Sequence, residues 1–277
     1  MKDLNMAQIN YIAIESSSDA RIASYTNIKE RDLVGRNDLF IAEGRVVLNV
    51  LLNSPIFEAQ SILIAQNRLN GLISLLESNT VQCPIYVASQ DVIDAIAGFH
   101  LHRGILAIGQ RKRPAILDEF MENLPEQSLL VLLCGISNHD NIGGIFRNSA
   151  AFGADGVVLD ETCCDPLYRK AIRVSVGAAL KVPHIKSGNI FNIIDRVQNA
   201  GFEVFAFSPS SHQKLLNSQP AKRTALLFGT EGEGLPNQIL QRFNTLRIPM
   251  AADFDSLNVA TAAAIALSHF AIAERIF

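Results

Sequence analysis

The sequence contains little of what marks an extracellular, metal-binding or membrane protein. Only four of its 277 residues are cysteine, and none has the C-x-x-C spacing of a zinc or redox site, so we expect reduced thiols and no metal. The longest run of small apolar residues, 259–267, is too short for a bilayer span. The N-terminus carries Asp3 and lacks the apolar core of a signal peptide. These absences predict a cytoplasmic protein without a membrane anchor.

The chain also lacks an excess of positive charge. Its 24 Lys and Arg are outweighed by 27 Asp and Glu, giving a formal charge of −3, so composition does not indicate a polyanionic partner. Two local basic clusters are nevertheless candidate RNA-binding segments. One is Arg111, Lys112 and Arg113, which a solvated linker would explain equally well. The other comprises Tyr168, Arg169, Lys170 and Arg173, whose tyrosine could stack on a base.

Breaker residues divide the chain into two parts. Pro114 and Pro125 fall within a connector at 111–127, which predicts an N-terminal domain at 1–110 and a C-terminal domain at 128–277. The first part alternates short apolar runs with helical stretches and is predicted to be a small α/β domain. In the second part, apolar strands and helices follow each other in turn, which predicts an α/β domain with a parallel sheet.

The predicted elements are defined by their apolar periodicity. Strands are predicted at 39–41, 61–65, 85–87 and 104–109, and then at 128–134, 157–159, 202–207, 224–228 and 246–248. Helices are predicted at 45–52, 91–97, 143–152, 190–200 and 258–276, with a short helix in the connector. In a parallel sheet, ligands gather at the carboxyl ends of the strands. The unusual loops of this chain all follow predicted strands.

Three glycines in six positions follow the strand predicted at 224–228. Gly229, Gly232 and Gly234 read G-x-x-G-x-G, which is neither the dinucleotide fingerprint nor the P-loop. Glu231 and Glu233 would repel phosphate, although Glu233 is interpreted as a solvated loop carboxylate. The loop is therefore suited to a ligand with neutral or positive groups, approached by backbone atoms. A nucleotide-dependent oxidoreductase is disfavoured for the same reason.

Three ordered motifs at strand ends resemble those of the SpoU/TrmH branch of the SPOUT RNA 2′-O-ribose methyltransferases. The motifs are Asn141-x-Gly143-Gly144-x-x-Arg147, Gly229-x-Glu231-Gly232-x-Gly234, and Pro249 followed by Ser256-Leu257-Asn258-Val259. The resemblance extends from about residue 128 to the C-terminus, and the joint occurrence of all three motifs is specific. One departure is that Asn148-Ser149 follows Arg147, where Thr-Ala is the common pattern.

The resemblance implies a fold, a cofactor and a set of site residues. The C-terminal domain would contain a deep trefoil knot and bind S-adenosyl-L-methionine, and the N-terminal domain would be a substrate-binding domain related to a ribosomal protein. The implied catalytic residues are Arg147, Asn141, Ser256, Asn258 and Glu231. The six-residue spacing between Asn141 and Arg147 further predicts that Asn141 orients Arg147 at a shared edge of the pocket. The implied cofactor-binding residues are Phe228, Gly229, Thr230, Glu231, Gly232, Ile248, Pro249, Met250, Leu257 and Asn258. Relatives are homodimers, so one side of the C-terminal helix is a candidate interface, with packing in the chain's own core as the alternative: Val259, Ala263, Ala266, Phe270 and Ala273.

Several alternatives remain open on the sequence alone. The substrate is ribosomal RNA by analogy of the N-terminal domain, with transfer RNA as the second option. Arg147 is either a proton acceptor or an electrostatic stabiliser of a developing alkoxide. Ser256 is also a plausible N-cap for the C-terminal helix, as are Asp253 and Asp255. A non-enzymatic RNA-binding or ribosome-associated module with the same fold is the rival class.

Overall fold

The computed structural model describes residues 10–26, 39–113, 116–230, 232–251 and 253–271. The chain forms two compact units, one of Met1–Arg113 with Leu167–Arg173 and one of Pro114–Pro166 with Val174–Phe277. Each unit has its own sheet. Within the described ranges, every helix is too short or too polar to cross a membrane.

The first unit contains a five-stranded mixed sheet. Its strands are β1 (Tyr11–Ile14), β2 (Leu39–Glu43), β3 (Phe57–Ala65), β4 (Ile85–Ala88) and β5 (Ile105–Arg111), in the order β1-β4-β3-β5-β2. β4 runs parallel to β1 and β3, whereas β5 runs antiparallel to β3 and β2. The helices are α1 (Arg45–Leu52), α2 (Ile73–Ser78) and α3 (Gln90–Ala97).

The second unit contains a six-stranded, fully parallel sheet. Its strands are β6 (Ser128–Leu133), β7 (Gly156–Leu159), β8 (His184–Lys186), β9 (Glu203–Phe207), β10 (Arg223–Phe228) and β11 (Asn244–Leu246), in the order β11-β9-β10-β6-β7-β8. Its helices are α4 (Leu117–Glu122), α5 (His139–Ala151), α7 (Ile190–Asn199), α8 (Asn237–Arg242) and α9 (Val259–Phe270), and the short α6 (Arg169–Val174) crosses the boundary between the units.

The core of the second unit explains its apolar strands. All six residues of β6 are buried, as expected for a central parallel strand covered on both faces. On α7, Ile190, Ile193, Ile194 and Val197 are buried at spacings of three and four residues, which places one apolar stripe against the sheet. This layering confirms the predicted α/β class with a parallel sheet.

The structure also differs from the predicted elements. β1 and β8 were missed, and β11 ends at Leu246, two residues before the predicted end. The C-terminal helix begins at Val259 and ends at Phe270, and the residues beyond 271 lie outside the described part. Of the two alternatives for one side of this helix, the structure shows packing within the chain: Val259, Ala263, Ala266 and Phe270 are buried in its own core, while Ala273 is not described.

Candidate functional site

A pocket of about 580 Å³ opens at the carboxyl ends of β9, β10 and β11. Three loops contribute to it, one after each of these strands, as the topology of a parallel sheet predicts. The residues that line it are Phe207, Ser208, Pro209, Ser210, Phe228, Gly229, Thr230, Gly232, Glu233, Gly234, Leu235, Asn237, Leu240, Leu246, Ile248, Met250, Asp255, Ser256, Leu257, Val259 and Ala262. The volume is in the range of small-molecule sites.

The glycine loop folds back on itself beside this pocket. Thr230 and Gly234 form an antiparallel bridge, and Gly234 has a φ of +71°. A Cβ on Gly229 would lie 2.5 Å from the carbonyl carbon of Gly234 and 2.6 Å from the backbone nitrogen of Leu235. Because both contacts are to backbone, a side chain at Gly229 would force the loop open. By contrast, a Cβ on Gly232 would meet no atom within 4 Å.

The walls of the pocket combine aromatic and apolar side chains with hydroxyl and amide groups, and its charged residues are acidic. The rings of Phe207 and Phe228 stack with centroids 4.7 Å apart. Of the described residues that line the pocket, Glu233 and Asp255 carry charge, and both are exposed. Glu233 is thus solvated, as predicted, but it also belongs to the pocket. A site without a Lys, Arg or His in its lining favours a neutral or cationic ligand over a phosphate.

Two asparagines connect the first motif to the third. The Nδ2 of Asn258 donates to the Oδ1 of Asn141 over 2.8 Å, across 117 positions of sequence. Asn258 is also the N-cap of α9, since its Oδ1 accepts from the backbone nitrogens of Ala260 and Thr261. The structure therefore brings together two of the predicted catalytic residues and gives each a defined orientation.

Close packing of α5 against α9 supports this bond. The Nδ2 of Asn148 donates to the carbonyl oxygen of Ala260 over 2.7 Å, and a Cβ on Gly144 would lie 2.8 Å from the Cβ of Ala260. Gly144 thus allows the two helices to approach closely. Gly144 of the first motif thus acts in packing, beside the Asn141–Asn258 bond.

We expect Asn141→Ala to destabilise the second unit by about 0.5–1.5 kcal/mol, because the part-buried hydrogen bond between Asn258 and Asn141 would be lost. Urea unfolding followed by circular dichroism measures this change. Asn199→Ala is the matched control, since Asn199 is an exposed residue of α7, and it should change stability by less than about 0.5 kcal/mol. A coupling energy near zero in the Asn141→Ala and Asn258→Ala double-mutant cycle would contradict the assigned bond.

Arg147 lies on α5 but does not line the pocket. Its side chain is exposed, and it has no hydrogen bond or ion pair with another described residue. The predicted contact with Asn141 is not found. Six residues of helix turn the two side chains about 120° apart, so Asn141 is buried toward Asn258 while Arg147 faces solvent. The guanidinium is accordingly open to a large ligand.

The remaining motif residues occupy mixed positions. Ser256 lines the pocket and its hydroxyl donates to Asp255 Oδ1 over 3.3 Å. The alternative prediction that Ser256, Asp253 or Asp255 caps the C-terminal helix is wrong, because Asn258 is the N-cap. Glu231, predicted for both catalysis and cofactor binding, lies outside the described residues.

Most of the predicted cofactor-binding residues line the pocket. Those that do are Phe228, Gly229, Thr230, Gly232, Ile248, Met250 and Leu257, whereas Pro249 and Asn258 do not. The sequence analysis did not predict the loop Ser208–Ser210 as part of the site. Its position directly after the strand predicted at 202–207 is the signal that could have identified it. The hydroxyls of Ser208 and Ser210 lie 2.9 Å apart at this edge of the pocket.

A buried carboxylate connects the loops that follow β6 and β7. Asp160 is 4% exposed, and its Oδ1 accepts hydrogen bonds from the backbone nitrogens of Gly135, Thr162 and Cys163. Burial, with the nearby charge of Asp160, raises the pKa of the Cys134 thiol to about 12. The thiol of Cys134 is thus protonated near neutral pH, and this cysteine has the structural role expected from the sequence.

The two predicted basic clusters are partly engaged within the first unit. The guanidinium of Arg111 lies 4.8 Å from the centre of the Phe57 ring, and the Nζ of Lys112 donates to the Ser54 carbonyl. Arg169 pairs with Glu43 over 2.6 Å and is largely buried. The residues of these clusters that lie at the surface are Lys112, Arg113, Lys170 and Arg173, while Tyr168 is half-buried.

A parallel α/β sheet with a glycine-lined pocket at its carboxyl edge defines a ligand-binding α/β domain, and comparison with known proteins identifies the family. The profile of the SpoU rRNA Methylase family matches residues 128–268. An uncharacterised tRNA/rRNA methyltransferase of Mycobacterium bovis is 38% identical over 241 residues, covering 85% of this chain and 81% of the relative. The chain belongs to the SpoU family and is an RNA methyltransferase.

Other relatives are named more specifically. The 23S rRNA (guanosine-2′-O-)-methyltransferase RlmB of Escherichia coli K12 is 30% identical over 204 residues, covering 72% of this chain and 83% of the relative. Among solved structures, the AdoMet-bound rRNA methyltransferase of Sinorhizobium meliloti has a TM-score of 0.78 at 22% identity, covering 94% of this chain and 97% of that chain. AviRb of Streptomyces viridochromogenes in complex with AdoMet has a TM-score of 0.79 at 23% identity, with 93% and 99% covered.

Proposed function

We propose that this protein transfers a methyl group from S-adenosylmethionine to a ribose 2′-hydroxyl of ribosomal RNA. The observation that carries the proposal is the pocket at the ends of β9, β10 and β11, which combines two of the three motifs and has the third beside it. The name of the Escherichia coli relative, which specifies 23S ribosomal RNA and the guanosine 2′-oxygen, supports the choice of RNA and atom.

The residues of the pocket fit S-adenosylmethionine. Gly229 and Gly234 shape a loop whose backbone is accessible, and Gly232 leaves open space where a side chain would stand. Phe228, Leu246, Ile248 and Leu257 supply apolar surface for the adenine. Glu233 and Asp255 place negative charge near a ligand that carries a sulfonium and an ammonium group. When bound, the cofactor supplies an electrophilic methyl group.

Arg147 is the residue that acts on the reacting ribose 2′-hydroxyl. A ribose 2′-hydroxyl is a weak nucleophile, so its oxygen must gain negative charge as its proton leaves. Guanidinium groups stay protonated in proteins, and an exposed Arg147 without an internal partner is free to stabilise that charge. Positioning of the ribose next to the methyl group then lowers the barrier to methyl transfer together with this electrostatic stabilisation. Proton acceptance by Arg147 is the alternative that the resemblance implies.

Asn141 and Asn258 position the elements around this reaction. Their mutual bond fixes the start of α9 against α5, the helix that carries Arg147. Ser256, whose hydroxyl faces Asp255 at the pocket, is the candidate contact between the third motif and a bound ligand. The proposal also includes a trefoil knot in the C-terminal domain and an RNA-binding role for the N-terminal domain. It further includes a part in the processing of ribosomal or transfer RNA and a cytoplasmic location.

The RNA class is tested by methyl transfer. Ribosomal and transfer RNA from cells that lack this gene are incubated separately with the protein and S-adenosylmethionine carrying a labelled methyl group. We expect label in ribosomal RNA. Label confined to transfer RNA would contradict the substrate class, and binding of the cofactor without transfer to either RNA would favour the non-enzymatic module.

We further expect a homodimer, as in relatives of the family. Apolar side chains of the second unit are available for such an interface, since Leu216 is 70% and Phe254 64% exposed. Light scattering at micromolar concentration should give twice the mass of one chain. A monomeric mass across the concentration range would contradict this part of the proposal.

A further inference from the structure

The first unit contains a loop that its own side chains hold in place. Residues 98–104 connect α3 to β5. One oxygen of the Asp94 carboxylate accepts from the backbone nitrogen of Leu101 over 2.9 Å and from Gln90 over 2.8 Å. Its other oxygen lies 2.5 Å from the Nδ1 of His100. The loop is therefore held by hydrogen bonds between groups of the first unit itself.

Two arginines, Arg68 beside this loop and Arg103 within it, pack their stems against glycines. A Cβ on Gly104 would lie 3.1 Å from the Cγ of Arg68, and a Cβ on Gly44 would lie 2.9 Å from the Cδ of Arg103. Both glycines have positive φ, +59° for Gly104 and +88° for Gly44. Each glycine thus provides a flat stretch of backbone on which an arginine stem packs.

The guanidinium groups of the same two arginines are oriented but keep their positive charge. The Nη2 of Arg68 donates to the carbonyl of His102 over 3.0 Å, and the Nη1 of Arg103 is 3.5 Å from the carbonyl of Glu43. Neither guanidinium is paired with a carboxylate of the described residues. The carboxylate of Glu43 is instead bound by Arg169. Several N–H donors of each guanidinium remain available.

We propose that Arg68 and Arg103 form a phosphate-binding surface through which the first unit holds the RNA backbone. The exposed side chains of Arg45, which begins α1 directly after Gly44, and His102 border this surface. A fixed stem and a free guanidinium edge are what bidentate binding of phosphate requires. The inference rests on the proposed function and assigns RNA contact to residues outside the two basic clusters predicted from the sequence.

The basic run at 111–113 is the competing surface of the same unit. Arg111 covers the Phe57 ring and Lys112 is bonded to a backbone carbonyl, so both cations also serve the packing of β5 and β3. The third residue of the run, Arg113, is exposed at the surface. The two surfaces can be compared directly, because two cations of each can be neutralised by substitution.

The test measures binding to protein-free large-subunit ribosomal RNA at several KCl concentrations between about 50 and 200 mM. Each phosphate contact releases counterions, so log K falls as log[salt] rises. Neutralising one arginine that contacts a phosphate should therefore make this negative slope less steep by roughly 1. We expect Arg68→Gln and Arg103→Gln each to give about this change, and the double variant about twice as much, with affinity reduced at least tenfold. Arg21→Gln is the matched control, since exposed Arg21 is neutralised by Asp19, and it should leave the slope unchanged.

Two further readouts separate the possible failures. Thermal unfolding and calorimetric binding of S-adenosylmethionine establish that each variant is folded. Two outcomes would show that the surface proposal is wrong while the proposed function stands. In one, wild-type protein binds the RNA and the Arg68→Gln, Arg103→Gln double variant has the same salt slope as the wild type. In the other, the slope changes only when Arg111→Gln is combined with Lys112→Gln. A wild-type protein that neither binds nor methylates ribosomal RNA would overturn both.

Discussion

Arg147→Ala is expected to lower methyl transfer to RNA by about 10²–10³-fold, the range found when one electrostatic stabiliser of a transition state is removed. The affinity for S-adenosylmethionine should stay within about twofold, because Arg147 does not line the pocket. Its exposed side chain has no partner among the described residues, so the loss should appear in transfer and not in stability. Single-turnover methyl transfer and calorimetry measure the two quantities.

Arg147→Lys separates charge from geometry. If the positive charge alone acts, lysine should recover a large part of the rate, whereas a role for the planar, forked guanidinium predicts a loss close to that of alanine. Arg196→Ala is the control, since Arg196 is an exposed arginine of the same unit that pairs with Asp118, and its rate should match the wild type. If the Arg147→Ala protein retains more than a third of the wild-type rate, Arg147 does not take part in the reaction.

Gly229→Ala is expected to weaken S-adenosylmethionine binding at least tenfold, which corresponds to about 1.4 kcal/mol. The added methyl group would lie 2.5 Å from the Gly234 carbonyl carbon and 2.6 Å from its oxygen, so the turn that holds Thr230 against Gly234 must open. Titration calorimetry gives the affinity, and thermal unfolding should show a lower melting temperature.

Gly232→Ala is the control for this loop. Its Cβ would have no atom within 4 Å, so the melting temperature should remain within about 1 °C of the wild type. Because Gly232 lines the pocket, any loss of affinity in this variant would arise from contact with the ligand alone. Wild-type affinity in Gly229→Ala would show that the closed loop is not required for cofactor binding.

The sequence allowed the second unit to be predicted in outline because its signals are local. Continuous apolar runs mark β6 and β10 as central strands, and the requirement at Gly229 arises from Gly234, only five residues away. The three-residue β8 was missed because so short a strand has no period of its own. β1 was missed although its four residues pair in register with β4.

Long-range relations in the candidate site could not be predicted from local pattern. Nothing in the neighbourhood of Asn141 indicates that its partner is Asn258, 117 positions away. The six-residue spacing to Arg147 suggested a contact, but helix rotation places one side chain inside and the other at the surface. The alanines of α9 are a second example. A stripe of small apolar residues can pack against a partner or against the chain's own core, and in the structure Ala263 and Ala266 are buried in the chain's own core.

The chemical nature of the product tests the central claim most directly. Ribosomal RNA labelled by the wild-type protein is hydrolysed in alkali, which cleaves next to every free 2′-hydroxyl, and the fragments are separated by size. The account predicts that the label appears in alkali-resistant dinucleotides, because a methylated 2′-oxygen cannot attack the neighbouring phosphate. Label in mononucleotides would place the methyl group on a base and contradict the proposed ribose chemistry.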